Sequence, residues 1–479
     1  MKKFLLKTAI PTFTLVTVLG LSPINTANAQ ENTSGITHND LEEDRFKETI
    51  KTEKYDEWKK TLTPNEIDSL ELFKDKDLNN FIKYADGNID FIHDADGIIA
   101  EDIRKSINNL DSALKKSIKL ENSIHVYKYL TNEDLDFRMD SLYAEDNNNK
   151  IDRDKYQSIS ENFKYGISKT FLDPHLIKQK PVDPEQSILL DLKLSKGEHV
   201  GYLDTKGHIL LKRNQGIVIT NSSIIVEDGR EIIKLEAHLV DKNKVENKIQ
   251  NKEDTLNEII RKTIEKSTAA HKENEIPMET KFIKIHTNSL NASFSIKRVE
   301  DLVHNLIQNV PRKLLITTLQ KMNPNAAIII TDSFWKNTEK ELGLEHNASP
   351  FDLGSYYDQT KQLILNLRLH NHQTDPFREI KKTEPALGTD VQTLIHEFGH
   401  AVDNLILNDL SEGNEFESLY RLEKNNIRIE NYMKQDSVEF FASAFSYIFS
   451  PNKQYQTRIQ EEVPQTVEFI QNELKKKGF

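Results

Sequence analysis

Apolar residues recur every three or four positions in several stretches of the chain, which is the spacing of one helix face. The clearest stretch runs from 389 to 406, and the apolar positions in it are Val391, Leu394, Ile395, Phe398, Val402, Leu405 and Ile406. A second apolar face follows Asp436, through Phe440, Phe441, Ala444, Phe445 and Ile448. Residues 55–120 and 296–322 also favour helices, and 242–272 predicts a long, charged connector helix.

Strand signals dominate residues 124–240, where short runs such as 188–194 and 217–226 are separated by Gly and Asn turns. Residues 326–331 predict a buried strand, and 361–369 predict another ahead of the helix at 389. Gln362 to Leu367 is a candidate edge strand for an extended substrate, and a buried central strand is the equal alternative. The mixture predicts an α+β protein.

The helix at 389–406 carries His396-Glu397-Phe398-Gly399-His400, and Thr389 or Asp390 can cap its start. Histidines four positions apart share one helix face, so both rings can bind one cation, with the glutamate beside a metal-bound water. A catalytic zinc needs a third protein ligand. The alternative is an amphipathic helix with two surface histidines.

Glu439 is the best candidate for that third ligand, three residues after Asp436. The same spacing fits a capping box, in which the glutamate only bonds backbone at the helix start. Tyr432 precedes Glu439 by seven residues, and its phenol could donate to the oxyanion of a tetrahedral intermediate or could simply pack. The residues alone leave both questions open.

The segment from His396 to Asn404, then Tyr432, then Glu439 to Phe445, resembles the catalytic domain of the anthrax lethal factor family. The resemblance implies one zinc ion per chain, bound by His396, His400 and Glu439. It also implies that Glu397 is the general base and that Tyr432 stabilises the transition state. Ser443 departs from the family, which has an acidic residue there.

The resemblance extends upstream from residue 55, through 103–118, 162–168, 201–203 and 209–214, to a domain with an ADP-ribosyltransferase fold. Transferases of that fold use an arginine, a Ser-Thr-Ser strand start and a Glu-x-Glu loop. The corresponding positions here are Lys128, Ser168-Lys169-Thr170 and Lys206-Gly207-His208. The reaction depends on carboxylates that this loop lacks. The domain is therefore expected to be degenerate and to serve packing and substrate binding.

The N-terminus follows the secretory pattern, with Lys2, Lys3 and Lys7 before an apolar run over 9–21 and a small-residue site ending at Ala29. Cleavage after Ala29 would release a secreted, extracellular protein with no stable membrane insertion. The chain has no cysteine, which rules out disulfides and thiolate ligands. Its 76 acidic against 64 basic residues argue against a nucleic-acid partner.

These observations divide the chain into a signal peptide (1–29), a flexible leader (30–55), a transferase-like domain (56–240), a helical connector (241–276) and a metallopeptidase domain (277–479). Nothing between 30 and 55 is long enough to match the carrier-binding N-terminal domain of lethal factor. A pore-forming carrier is therefore expected only as a partner without a recognisable binding domain. The expected direct partner is a protein or peptide substrate.

The sequence thus predicts a secreted zinc-dependent endopeptidase, a toxin or virulence factor. One alternative is an active ADP-ribosyltransferase that uses Glu198 or Glu227. Another is an exported binding protein with no catalytic activity. His370 and His372 are expected to be solvated loop residues, and Asp403 a surface carboxylate or one that supports a ligand from behind.

Overall fold

The computed structural model describes residues 54–75, 78–93, 99–131, 142–181, 186–268, 280–287, 289–344, 353–367 and 386–479. The predicted signal peptide, nearly all of the leader, and His370 and His372 lie outside these ranges. Within them, no helix is both long enough and apolar enough to cross a bilayer.

The first half begins with short helices and continues with strands. The helices are α1 (Tyr55–Lys59), α2 (Pro64–Asp75), α3 (Leu78–Tyr84), α4 (Ala100–Lys115) and α5 (Arg153–Asn162). The strands are β1 (Ile118–Lys119), β2 (Ile124–Leu130), β3 (Tyr143–Ala144), β4 (Asn147–Ile151), β5 (Tyr165–Ser168), β6 (Ile188–Leu194), β7 (His199–Tyr202), β8 (Ile209–Leu210), β9 (Gln215–Glu227) and β10 (Arg230–Val240).

Five of these strands form the main sheet of this half, in the order β2-β6-β10-β9-β5. β6 and β10 are parallel, and the other neighbours are antiparallel. β6 is buried at every position except Lys193, as expected of a central strand that is covered on both faces. A smaller sheet, β1-β7-β8, packs its apolar side chains into the same core.

The second half begins with α6 (Lys242–Thr268), which confirms the long helix predicted there. Its apolar positions Val245, Ile249, Leu256, Ile260 and Ile264 are all buried. The predicted helix at 296–322 is instead two helices, α7 (Ala292–Asn309) and α8 (Arg312–Lys321). Pro311 stands between them, where its ring prevents the first helix from continuing.

A second sheet supports the candidate site. Its strands are β11 (Ile283–His286), β12 (Ile328–Thr331), β13 (Gly354–Tyr357) and β14 (Gln362–Asn366), in the order β11-β12-β14-β13. β14 is therefore a buried central strand, and the edge-strand prediction for Gln362 to Leu367 is wrong. The edge strand next to β14 is β13, whose four residues are too few and too polar to signal a strand in the sequence.

Helices complete the second half: α9 (Trp335–Leu342), α10 (Ala386–Val402), α11 (Asn414–Glu423), α12 (Ser437–Ile448), α13 (Lys453–Glu462) and α14 (Pro464–Lys476). α10 begins at Ala386, so Asp390 is an internal residue and not its cap. Asp390 is buried and forms an ion pair with Arg298 of α7. The guanidinium stabilises the charge of this carboxylate inside the helix bundle.

The two halves share backbone and side-chain contacts. The N–H of Ile167 in β5 donates to the carbonyl of Ser289 at 2.8 Å. A Cβ added to Gly166 would lie 1.7 Å from the carbonyl oxygen of Leu290, so only glycine allows this approach. Asp86 joins the halves more directly, because its carboxylate accepts from Lys169 at 2.9 Å and from the Asn337 side chain at 2.7 Å.

Candidate metal centre

The candidate metal centre lies between two packed helices. α10 carries His396 and His400, and α12 carries Glu439. The two helices approach closely at Gly399, where an added Cβ would lie 3.3 Å from the backbone of Ala442. Apolar residues on both helices, including Phe398 and Phe445, are fully buried behind the site. This packing places the polar face of α10 opposite the first turn of α12.

Three ligand atoms converge on one point. His396 Nε2 lies 3.0 Å from Glu439 Oε2 and 3.1 Å from His400 Nε2. The third edge, from His400 Nε2 to Glu439 Oε2, measures 3.5 Å. Zinc bonds of 2.0–2.1 Å in a tetrahedron separate neighbouring ligand atoms by roughly 3.3 Å. The donor set therefore fits a zinc ion in both chemistry and spacing.

The charges in the site favour a cation. Burial would raise the pKa of Glu439, but hydrogen bonds with His396 and His400 outweigh it and hold that pKa far below its usual range. Burial would lower the pKa of His400, yet Glu439 and the charge of Glu397 raise it overall. The carboxylates thus stabilise positive charge at the point where the three ligand atoms meet.

The structure differs from the capping alternative for Glu439, in which its side chain would bond backbone at the helix start. Asp436 is the N-cap of α12, and its Oδ1 accepts from the backbone N–H of Glu439 at 2.8 Å. The carboxylate of Glu439 faces the two histidines. The cap therefore uses the backbone of Glu439 and leaves its side chain for the site, so the two roles do not compete.

Glu397 and Tyr432 border the three ligand residues. Glu397 is 7% exposed and lies against the edge strand β13. Tyr432 begins a short helical turn, Tyr432–Lys434, and its ring centroid lies 5.9 Å from that of His396. Its side chain is 52% exposed. The Glu397 carboxylate thus lies on the buried side of the ligand residues, and the Tyr432 phenol lies on their exposed side.

A chain of hydroxyl and amide groups orients His396 from behind. Ser443 Oγ lies 3.3 Å from His396 Nδ1. The carbonyl of Ser443 accepts from Ser446, whose Oγ lies 2.5 Å from Gln392 Nε2. The sequence identified Ser443 but missed Gln392 and Ser446, since single uncharged polar residues between apolar helix positions form no motif. A neutral hydroxyl here fixes the ring without adding charge.

Asp403 is not a surface residue. It follows α10 in a π-helical turn, Asp403–Leu407, and it is 4% exposed. Its carboxylate accepts from the side chain and backbone of Ser411. Burial raises the pKa of Asp403 to about 6, despite these hydrogen bonds and the nearby His400. Tertiary packing against the loop after the helix buries it, which the helical period could not indicate.

Two of the three predicted transferase-site positions, Lys128 and His208, also meet, although with different chemistry. Lys128 Nζ lies 2.5 Å from Asp173 Oδ1, and His208 Nε2 lies 3.4 Å from Asp173 Oδ2. The ring of His175 stacks on that of His208 with centroids 4.3 Å apart. The sequence missed Asp173 and His175. Burial would raise the pKa of Asp173, but His208 and Lys128 lower it to about 2.

The other transferase candidates lie in ordinary structural settings. Lys169 is buried in its ion pair with Asp86. Glu227 accepts from the Tyr129 hydroxyl and from Lys178 Nζ. Glu198 is half-buried, and its backbone carbonyl accepts from the N–H of Leu120. Neither glutamate contacts the cluster around Asp173 through any hydrogen bond of the described residues.

Comparisons with known proteins divide the chain at the same place as the fold. Residues 47–242 match the family model of the ADP-ribosyltransferase exoenzymes. Residues 248–473 match the family model described as "Anthrax toxin lethal factor, N- and C-terminal domain". These matches confirm the predicted resemblance and the fold class, a transferase-like region followed by a mainly helical region with a small sheet.

Individual relatives agree with the family models. Lethal factor of Bacillus anthracis is 24% identical over 393 residues, which are 79% of this chain and 45% of lethal factor. Pro-Pro endopeptidase of Clostridioides difficile is 33% identical over 78 residues, 16% of this chain and 35% of that protein. The chain thus spans less than half of either relative.

Among solved structures, C3larvin toxin, an ADP-ribosyltransferase from Paenibacillus larvae, is 29% identical with a TM-score of 0.32. That match covers 38% of this chain and 99% of the toxin.

Proposed function

We propose, on the premise that residues 248–473 form a lethal factor-type domain, that this chain is a secreted zinc-dependent endopeptidase. The supporting observation is the convergence of His396, His400 and Glu439 on one point beside the buried Glu397. Its relationship to lethal factor further supports a role as a toxin or virulence factor.

His396, His400 and Glu439 would hold one zinc ion per chain. When bound, zinc would supply a Lewis acid that polarises the scissile carbonyl. Glu397 would take a proton from the attacking water and deliver it to the leaving amine, because its buried carboxylate borders the ligands. Tyr432 would donate its hydroxyl proton in a hydrogen bond to the oxyanion, from the exposed side of the site.

We propose that the substrate lies along β13 as an extended strand. The N–H of Asn366 donates to the carbonyl of Leu353 at 2.8 Å, which fixes the pairing of β13 with β14. In this antiparallel register, the N–H and C=O of Gly354 and Tyr356 point away from β14. These groups are the ones that a peptide backbone would use, and Gly354 lies beside Glu397.

The transferase-like half is proposed to be catalytically inactive. Lys128 already neutralises Asp173, whose carboxylate lies 3.4 Å from His208 of the expected catalytic loop. Lys169 is committed to a buried contact with Asp86, which in turn binds the peptidase half. The proposed role of this half is to support the peptidase sheet and to contribute substrate-binding surface. The division into segments 1–29, 30–55, 56–240, 241–276 and 277–479 is part of the same proposal.

Hydrolysis of a randomised peptide library by the purified protein tests the function. The library should include Pro–Pro bonds, since the name of one relative specifies them. Cleavage by the wild type that is lost in Glu397→Ala, and retained in the exposed control Glu461→Ala, would support the proposal. Cleavage that persists unchanged in Glu397→Ala would contradict it. Hydrolysis of NAD that depends on Glu198 or Glu227 would favour the transferase alternative.

A further inference from the structure

Gly354, the first residue of the edge strand β13, lies in direct contact with Glu397. A Cβ built on Gly354 would lie 2.6 Å from Glu397 Cγ and 2.9 Å from Glu397 Oε1. The same atom would lie 3.0 Å from Thr393 Cγ2, one turn earlier on α10. Carbon atoms that are not bonded pack at about 3.5–4.0 Å. A side chain at 354 is therefore incompatible with the observed position of Glu397.

The surrounding structure leaves little room for either partner to retreat. Gly354 pairs with Leu365 of β14, and β14 lies between β12 and β13. On another face, α10 meets α12 at Gly399, where an added Cβ would lie 3.2 Å from Phe445. The helix is therefore in close contact with both the sheet and its partner helix. A methyl group at 354 would be accommodated mainly by rotation of the Glu397 side chain.

We infer that Gly354 is a positioning residue for the general base of the proposed peptidase. By lacking a side chain, it allows the Glu397 carboxylate to pack on the face of β13, the strand along whose free edge the substrate would lie. The catalytic consequence rests on the proposed function. The contact itself is a packing property that can be tested without any activity.

The kinetic test compares Gly354→Ala with Glu461→Ala, an exposed position on α13 that lies outside the proposed site. Displacement of a catalytic group by about 1 Å lowers rates roughly 100-fold. We expect Gly354→Ala to lower kcat by that factor, with KM changed less than about threefold and one zinc per chain retained. A kcat that equals that of Glu461→Ala would overturn the inference.

The packing test is a double-mutant cycle on the Tm of the zinc-free protein. Gly354→Ala is expected to lower the Tm when Glu397 is present, because inserting a methyl group into a filled site strains its neighbours. In the Glu397→Ala background the same change should lower the Tm by clearly less, since Cγ and Oε1 are gone. Equal losses in both backgrounds would overturn the inference.

The two tests together distinguish a failure of the positioning role of Gly354 from a failure of the proposed peptidase function. If the wild type cleaves no peptide, the proposed peptidase function fails, and the Tm cycle still decides whether Gly354 determines the position of Glu397. If the wild type cleaves peptides and the cycle shows no coupling, the peptidase stands and the positioning role fails.

Discussion

The two halves of the chain each bring together titratable side chains, and the two groupings differ in whether their charges are already neutralised. In the second half, three donor atoms of His396, His400 and Glu439 face one point at mutual distances of 3.0–3.5 Å. In the first half, Lys128 lies on Asp173, and His208 stacks with His175. The donor atoms of the second half are directed at a common point. In the first half, the charges already pair with one another.

The same contrast extends to the surroundings of each cluster. Glu397 is a buried carboxylate beside a strand edge, where a substrate could use it. Lys169 occupies the position predicted for the transferase Ser-Thr-Ser strand start, but it forms an ion pair with Asp86. Asp86 in turn accepts a hydrogen bond from Asn337 of the second half. A family resemblance covers both halves. The local electrostatics support catalysis in the second and a structural role in the first.

The largest expected effect tests the proposed catalytic role of Glu397 in the second half. Glu397→Gln keeps the side-chain shape and removes the base, so we expect kcat to fall by about 10²–10⁴-fold. Zinc content should stay at one per chain, because the ligand residues are intact. Kinetics on the preferred library peptide, with metal analysis of the same sample, measures both. An equal loss in Glu461→Ala would mean that the effect is not specific to the site.

The next prediction tests the structural role proposed for the first half. Asp86→Asn leaves the buried Lys169 ammonium without its counter-charge, and breaking a buried pair costs about 3–5 kcal/mol. Urea denaturation should show this loss in the free energy of unfolding. Asp102→Asn, on the exposed face of α4, is the matched control and should change stability by less than about 0.5 kcal/mol. Equal stability of the two variants would contradict a stabilising buried ion pair between Asp86 and Lys169.

A somewhat smaller effect on kcat is expected at Tyr432, on the exposed side of the metal centre. Tyr432→Phe removes one donor to the oxyanion, and loss of such a donor typically costs about 10²–10³-fold in kcat. Because Tyr432 is half exposed, folding should not change, and the circular dichroism melting curve should match that of the wild type. A KM effect without a kcat effect would show that the phenol only binds substrate.

The smallest effect concerns the neutralised cluster of the first half. The pKa of Asp173 is lowered to about 2, against roughly 3.9 in an unfolded chain. Its contribution to stability, roughly 2 kcal/mol, is therefore present above pH 4 and is lost as the pH falls towards 2. Asp173→Asn should be less stable than the wild type at pH 6, and the difference should shrink as the pH falls. Peptide cleavage near pH 7 should be unaffected.

Much of the second half could be predicted from the sequence because its signals are local. The apolar period predicted α10 and α12, and the four-residue spacing of His396 and His400 predicted that both rings share one helix face, whereas Glu439 on the second helix was assigned only through the family resemblance. The long helix α6 was predicted from the same period. These features depend on contacts within one or two helical turns, which sequence patterns record directly.

The features that were missed depend on contacts between distant segments. β13 is short and polar, so its place at the sheet edge beside Glu397 had no sequence signal. Asp173 approaches Lys128 only because backbone bridges join His175 to Tyr127 and to His208. Asp86 has no motif, yet it joins the two halves. Each of these follows from tertiary packing, which a pattern along the chain does not encode.

Titration of zinc into the metal-free protein by calorimetry tests the central difference between the halves most directly. The comparison of the wild type with Glu439→Ala and with Asp173→Asn is the decisive one. We predict one zinc per chain for the wild type and for Asp173→Asn, with binding strongly weakened in Glu439→Ala. Zinc binding that is unchanged in Glu439→Ala, or that is lost in Asp173→Asn, would contradict a metal centre built from His396, His400 and Glu439.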